Sequence, residues 1–191
     1  MGGIRIIAGD MKGRLIPFSN REFDNADITS QKVKGALFSM IGEWLHGLSF
    51  LDLFAGSGQI GIEAMSRGAD PTVMIESDPG RHRFIASCIN VLSPPVMPML
   101  LNMPANTAID YLAGRGIRFD YIFLDPPYDR KHGDIPLYRD IIAHIVRRSI
   151  LSPGGSILLQ HYSGNQLDPE ISPYQLLHTK KHGKTSLSRY S

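Results

Sequence analysis

Asp125-Pro126-Pro127-Tyr128 closes the apolar run Phe119-Asp120-Tyr121-Ile122-Phe123-Leu124. Neither proline can donate a hydrogen bond, and together they stop a strand and stiffen the turn after it. The segment therefore offers two acceptors, the Asp125 carboxylate and the Pro126 carbonyl oxygen, beside the flat ring of Tyr128. Such a group suits a planar amine, for instance the exocyclic NH2 of a nucleobase. That nitrogen is a poor nucleophile, because its lone pair is delocalised into the ring. Two acceptors holding its two N–H groups turn the lone pair toward an electrophile. Asp125, Pro126 and Tyr128 are the catalytic candidates.

A second group lies upstream. Gly56-Ser57-Gly58-Gln59-Ile60-Gly61 fits G-x-G-x-x-G, after an apolar strand and at the start of a helix. Glycines there allow a tight turn and close approach of a ligand to the backbone. Glu76 falls at the end of the next strand, where an acid can bind both hydroxyls of a ribose. A dinucleotide and S-adenosylmethionine both carry that ribose. Asp52, just ahead of the glycines, would repel a pyrophosphate and favour the ammonium or sulfonium end of S-adenosylmethionine. The cofactor-binding candidates here are Asp52, Phe54, Gly56, Ser57, Gly58 and Glu76. The seven histidines are scattered and the single cysteine, Cys88, has no partner at ligand spacing, so no metal site is expected.

Alternating strands and helices must position these groups. Strands are predicted at 50–54, 72–75, 96–101, 121–124 and 156–159, and helices at 59–67, 79–92, 107–113 and 135–150. Asp78-Pro79 is a good helix start, since Asp caps and Pro fits the first turn. This rhythm implies an α/β fold, a mostly parallel sheet with helices on both faces. Before it, Ile4–Ile7 and Leu15-Ile16 suggest a small hairpin. Val33, Leu37, Met40, Ile41 and Trp44 then give a helical stripe over 31–45, read as core, with Thr29 or Ser30 as its N-cap. Residues 1–47 thus read as an extension packed on a domain of residues 48–191, which ends in an antiparallel hairpin.

Composition bounds the reading. The chain has 191 residues, one cysteine and a formal charge of +2. One cysteine excludes an internal disulfide framework. No run approaches the roughly 18 apolar residues of a membrane span, and no signal-peptide pattern opens the chain, so a cytoplasmic monomer is expected. The small net charge hides local basic clusters. Arg5, Lys12 and Arg14 lie on the hairpin and Lys32 and Lys34 on the first helix. Arg130 and Lys131 come shortly after Tyr128, and Lys181 and Lys184 lie in the acid-free last fourteen residues. All are candidates to meet RNA phosphates around the catalytic mouth.

Asp52-Leu53-Phe54-Ala55-Gly56-Ser57-Gly58 followed by Asp125-Pro126-Pro127-Tyr128 resembles the class I S-adenosylmethionine-dependent methyltransferases that modify exocyclic amines. Residues 4–191 resemble more narrowly the RsmD family of 16S rRNA guanine-N2 methyltransferases. This resemblance rests also on Arg5-Ile6-Ile7-Ala8-Gly9, Lys12-Gly13-Arg14, Ala36-Leu37-Phe38, Leu151-Ser152-Pro153-Gly154-Gly155 and Gly183-Lys184-Thr185. It implies a Rossmann-like sheet of about seven strands, S-adenosyl-L-methionine as methyl donor, and 16S rRNA or an assembling 30S subunit as partner. It also implies an adenine contact at Asn106, where the family commonly has an acid. Two further departures are Asp27-Ile28-Thr29 in place of Arg-Pro-Thr, and Gln160 where the fifth strand often ends in Glu. Two other activities share part of the pattern. An NAD-linked oxidoreductase would use the glycine loop and Glu76 but has no use for Asp125 to Tyr128. An N6-adenine or protein-glutamine methyltransferase would use both motifs.

Overall fold

The computed structural model describes residues 3–17, 29–126 and 135–191. A hairpin of β1 (Gly3–Arg5) and β2 (Leu15–Pro17) comes first, then helix α1 (Gln31–Ile41). Next come β3 (Phe50–Asp52), α2 (Gln59–Ser66), β4 (Thr72–Ile75), α3 (Pro79–Leu92), β5 (Met99–Leu101) and α4 (Ala105–Gly114). The chain ends with β6 (Phe119–Leu124), α5 (Ile135–Arg148), β7 (Leu151–Tyr162), β8 (Glu170–Ile171), β9 (Tyr174–His182) and β10 (Thr185–Tyr190). The main sheet has eight strands in the order β5-β4-β3-β6-β7-β10-β9-β8. The first five are mutually parallel, and β10 inserts antiparallel between β7 and β9. The strand beyond the expected seven is the two-residue β8.

Strand periodicity divides the core into two layers. Leu51, Ile122, Leu124, Ile157 and Leu159 point to one face and pack with α4 and α5, through Ile109, Leu112, Ile142 and Ile145. Phe50, Phe123, Leu158 and Leu187 point to the other, against α1 and Ile60 and Ala64 of α2. A third cluster joins α2, α3 and Met74 to Ile4, Ile6, Met11 and Ile16 of the hairpin.

Several boundaries move for identifiable reasons. The α3 helix starts as expected, with the Asp78 side chain accepting from Arg81 N and Pro79 in the first turn. The α1 helix is capped by Ser30 but stops at Ile41, because Gly42 turns to φ +108°. Trp44 therefore leaves the apolar stripe; it is 55% exposed and stacks on His46. The β5 strand pairs only from Met99, leaving Val96 and Met97 exposed. Strand β7 is twelve residues long, not four. Its Ser152-Pro153-Gly154-Gly155 stretch reads locally as a turn, yet pairing with β6 spans it through a register shift.

Candidate functional site

Helices that succeed parallel strands run back across the sheet, so the C-terminal ends of β3, β4 and β6 share one edge with the starts of α2 and α3. Asp52, the glycine loop, Glu76 and Asp125 all sit on that edge.

Asp52 has the parity of Phe50 and faces α2. It is 1% exposed, and its Oδ2 accepts from Gly61 N at 3.0 Å. Its Oδ1 is buried and meets no hydrogen-bond donor. Burial pushes its carboxyl up to about 7, against the backbone amide of Gly61, which favours the charged form. A buried carboxylate with one unsatisfied oxygen is costly to maintain in a fold without a cationic partner. A Cβ at Gly61 would run into the Met74 side chain, so the third glycine lets α2 pack closely on β4. Gly58 caps α2 in the left-handed region at φ +75°, and Gly56 lies at φ +55°. Ser57 and Phe54 are half-buried beside them, Phe54 against the α4–α5 core layer.

Glu76 is buried, and both its carboxylate oxygens hold backbone. Oε2 accepts from Gly56 N and Oε1 from Asp78 N, each at 2.8 Å. Asn102, just past β5, donates from Nδ2 to Glu76 O at 2.8 Å and to Ser77 O at 3.1 Å. Sequence reasoning missed Asn102; its signal was a polar amide directly after a strand at the same edge. Asn106 lies one turn further on, exposed in the first turn of α4. Its Oδ1, the atom offered to an adenine, is turned toward His144 Nδ1 of α5 at 3.3 Å.

Asp125 comes directly after β6 with the parity of Phe123, so it faces the α1 side. It is half-buried and Pro126 is buried. Asp125 Oδ2 accepts from Gln160 Nε2 at 2.7 Å. Tyr128, Arg130, Lys131 and Asp27 lie outside the described residues.

The described basic candidates separate into three groups, with Arg5 apart from them. Lys34 is not a surface cation. It is fully buried, its Nζ lies 3.0 Å from Glu63 Oε2 and it donates to Arg5 O at 2.7 Å. Burial holds its ammonium below the usual lysine range, opposed by Glu63. Lys12 and Arg14 are exposed, but at the opposite edge of the sheet from Asp125. Met11 N and Asp10 N bond to Ser66, the last residue of α2, and the Arg14 guanidinium donates to the carbonyls of Val91 and Leu92 at the end of α3. Lys32, Lys181 and Lys184 are exposed at the edge that carries Asp125. The β9–β10 turn reaches that edge, since Ser163 N, just past β7, bonds to Lys184 O. His182 joins the two elements: burial and the nearby Lys180 and Lys32 keep its imidazole below the usual range. Arg5 is exposed, with its guanidinium on Gly13 O at 3.1 Å and its own carbonyl bonded by Gln31 at the start of α1.

This sheet order, with a glycine loop after β3 and an acid after β4, defines a class I methyltransferase. The chain belongs to the family described as Conserved hypothetical protein 95, the RsmD family, whose model matches residues 4–191. It is 31% identical over 189 residues to "Ribosomal RNA small subunit methyltransferase D" of Buchnera aphidicola subsp. Baizongia pistaciae, covering 98% of this chain and 90% of that protein. It is 29% identical over 187 residues, 98% of both chains, to "Putative rRNA methyltransferase YlbH" of Bacillus subtilis. Among solved structures, the "putative methylase HI0767 from Haemophilus influenzae" superposes with a TM-score of 0.73 at 28% identity, covering 99% of this chain and 98% of that one. Among the described residues no helix is long and apolar enough to cross a membrane, and no group of His, Cys, Asp and Glu could hold a metal ion.

Proposed function

We propose that this protein transfers a methyl group from S-adenosylmethionine to the exocyclic N2 amine of a guanine in 16S rRNA. The observation that carries the reading is the shared edge of two sites. Asp52, the glycine loop and Glu76 lie at the ends of β3 and β4, and Asp125 at the end of the neighbouring β6. The donor fits the first site. The buried, unsatisfied Asp52 Oδ1 suits an ammonium, the glycines leave room at the backbone, and Glu76, though holding two amides, keeps acceptor capacity for ribose hydroxyls. When bound, the donor supplies a methyl carbon already activated by its sulfonium.

The chain's own residues then position the amine. Asp125 and the Pro126 carbonyl accept from its two N–H groups, and Tyr128 stacks on a base drawn out of its RNA structure. Alignment of this kind is worth on the order of 7–11 kcal/mol in ideal intramolecular cases. The methylated nitrogen is acidic, so Asp125 or water takes its extra proton. Lys32, Lys181 and Lys184 receive RNA phosphates near the site, and Arg130 and Lys131 extend that set along the chain from Tyr128.

The test is transfer of labelled methyl to 30S particles, free 16S rRNA and DNA side by side, with mapping of the label. Label on one guanine N2 of the RNA is the expected result. Label on DNA alone overturns the ribosomal reading, and label on an adenine overturns the base. Asp125→Ala should keep binding of S-adenosylhomocysteine while losing most turnover.

A further inference from the structure

Gln160 ends the parallel part of the sheet beside Asp125, and its amide is fixed from both sides. Strand parity puts it with Leu158 and Leu187, on the face covered by α1. It is 5% exposed, so an unpartnered amide there would be costly. Nε2 donates to Asp125 Oδ2 at 2.7 Å, and Oε1 accepts from Thr29 Oγ1 at 3.4 Å. Thr29 is itself held. The Gln59 carboxamide, turned to match its partners, accepts from Thr29 N at 2.8 Å and donates to Thr29 O at 3.1 Å. Gln59 is the first residue of α2, directly after the glycine loop. A continuous chain of buried amides and hydroxyls therefore runs from the start of α2, through Thr29 just before the cap of α1, to the carboxylate at the end of β6.

We infer that Gln160 is a positioning residue for Asp125, held by Thr29 and Gln59, and that it sets the rotation of the carboxylate presented to the substrate amine. The inference rests on the reading of Asp125 as the group that meets that amine. A carboxylate on a single Cβ–Cγ bond turns easily, and a short amide donor on one oxygen fixes where the other points. Misplacing an acceptor by about 1 Å is enough to cost on the order of a hundred-fold in rate. The same donor keeps Asp125 an acceptor, as two N–H groups require.

Two substitutions separate this role from packing. Gln160→Leu removes the amide, and Gln160→Met removes it while keeping an unbranched side chain of nearly the same length. Both variants should lower kcat for methyl transfer to RNA by at least about ten-fold. The KM for S-adenosylmethionine and the Kd for S-adenosylhomocysteine should stay within about two-fold, because Gln160 does not touch that site. Thr29→Val, isosteric and one link further away, should cost about three-fold in kcat. A Gln160→Met variant with the parental kcat overturns the assignment, since it fills nearly the same space without the amide. So does a loss of kcat matched by an equal loss of S-adenosylhomocysteine affinity. A parent chain that binds S-adenosylhomocysteine but methylates no RNA overturns the proposed function, and this inference with it.

Discussion

The Glu76 carboxylate accepts the Gly56 amide at 2.8 Å, which ties the acid after β4 to the glycine loop after β3. With its other oxygen on Asp78 N, Glu76 shapes the loop before it binds anything. Acid and glycines are thus a single device.

Replacing Glu76 by Gln tests that dependence. A carboxamide has one acceptor oxygen and one NH2, so either Gly56 N or Asp78 N would face a donor in place of an acceptor. The loss of one buried charge-assisted bond, about 1.5–3 kcal/mol, predicts weaker S-adenosylhomocysteine binding by roughly ten- to a hundred-fold. Calorimetric titration of parent and variant checks it.

Asp52 predicts a pH dependence of cofactor binding. Its folded-state carboxyl, raised to about 7 by burial, is neutral below that value and ionised above it. A cationic ammonium binds the ionised form, so affinity is nearly full about one unit above pH 7, halves near it, and falls by about ten-fold per unit well below. Titrations with S-adenosylhomocysteine between about pH 5.5 and 7.5 should show this limb, and Asp52→Asn should bind weakly with the limb absent.

Local features were legible in the chain where one segment determined them. Asp78-Pro79 started α3, the glycines marked the strand-to-helix turn, and the apolar run 119–124 was β6. Long-range pairing hid the rest. Ser152 to Gly155 reads as a turn, and only partners on both sides make it part of β7. Lys34 looked like a surface cation, although it lies four residues before Phe38 and seven before Ile41, on the stripe that α1 buries. The reason it can be buried is Glu63, on another helix. Gln160 looked like a departure from a pattern until the fold put its amide on Asp125. Lys12 and Arg14 looked equivalent to the other cations because sequence carries no record of which edge of the sheet a hairpin reaches.

Glu63 should be among the most sensitive positions for stability. It is fully buried and accepts from Ile7 N and Ala8 N at 3.0 Å, from Arg67 Nε at 3.1 Å, and from Lys34. Removing one partner from a buried ion network costs about 3–5 kcal/mol, since the remaining charges stay buried. Glu63→Ala should therefore lower Tm by roughly 10 °C, at about 2–4 °C per kcal/mol for a chain of this size. Lys34→Met, which leaves Glu63 with Arg67 and two amides, should cost less than half as much. Thermal denaturation monitored by circular dichroism compares the two; equal losses would mean that the clasp is centred on Lys34 instead.

The two edges of the sheet make a prediction about RNA. Lys32, Lys181 and Lys184 share the edge with Asp125, while Lys12 and Arg14 sit at the far ends of α2 and α3. Each lysine that neutralises a phosphate contributes close to one unit to the slope of log affinity against log salt. Lys181→Ala and Lys184→Ala together should weaken RNA binding and reduce that slope by about two, with kcat at saturating RNA little changed. Lys12→Ala should leave both affinity and slope at parental values. Filter binding over a salt series separates the cases. A slope that responds to Lys12 as strongly as to Lys184 would mean that the RNA wraps onto the far edge, and that the site reads a larger structure than the mouth around Asp125.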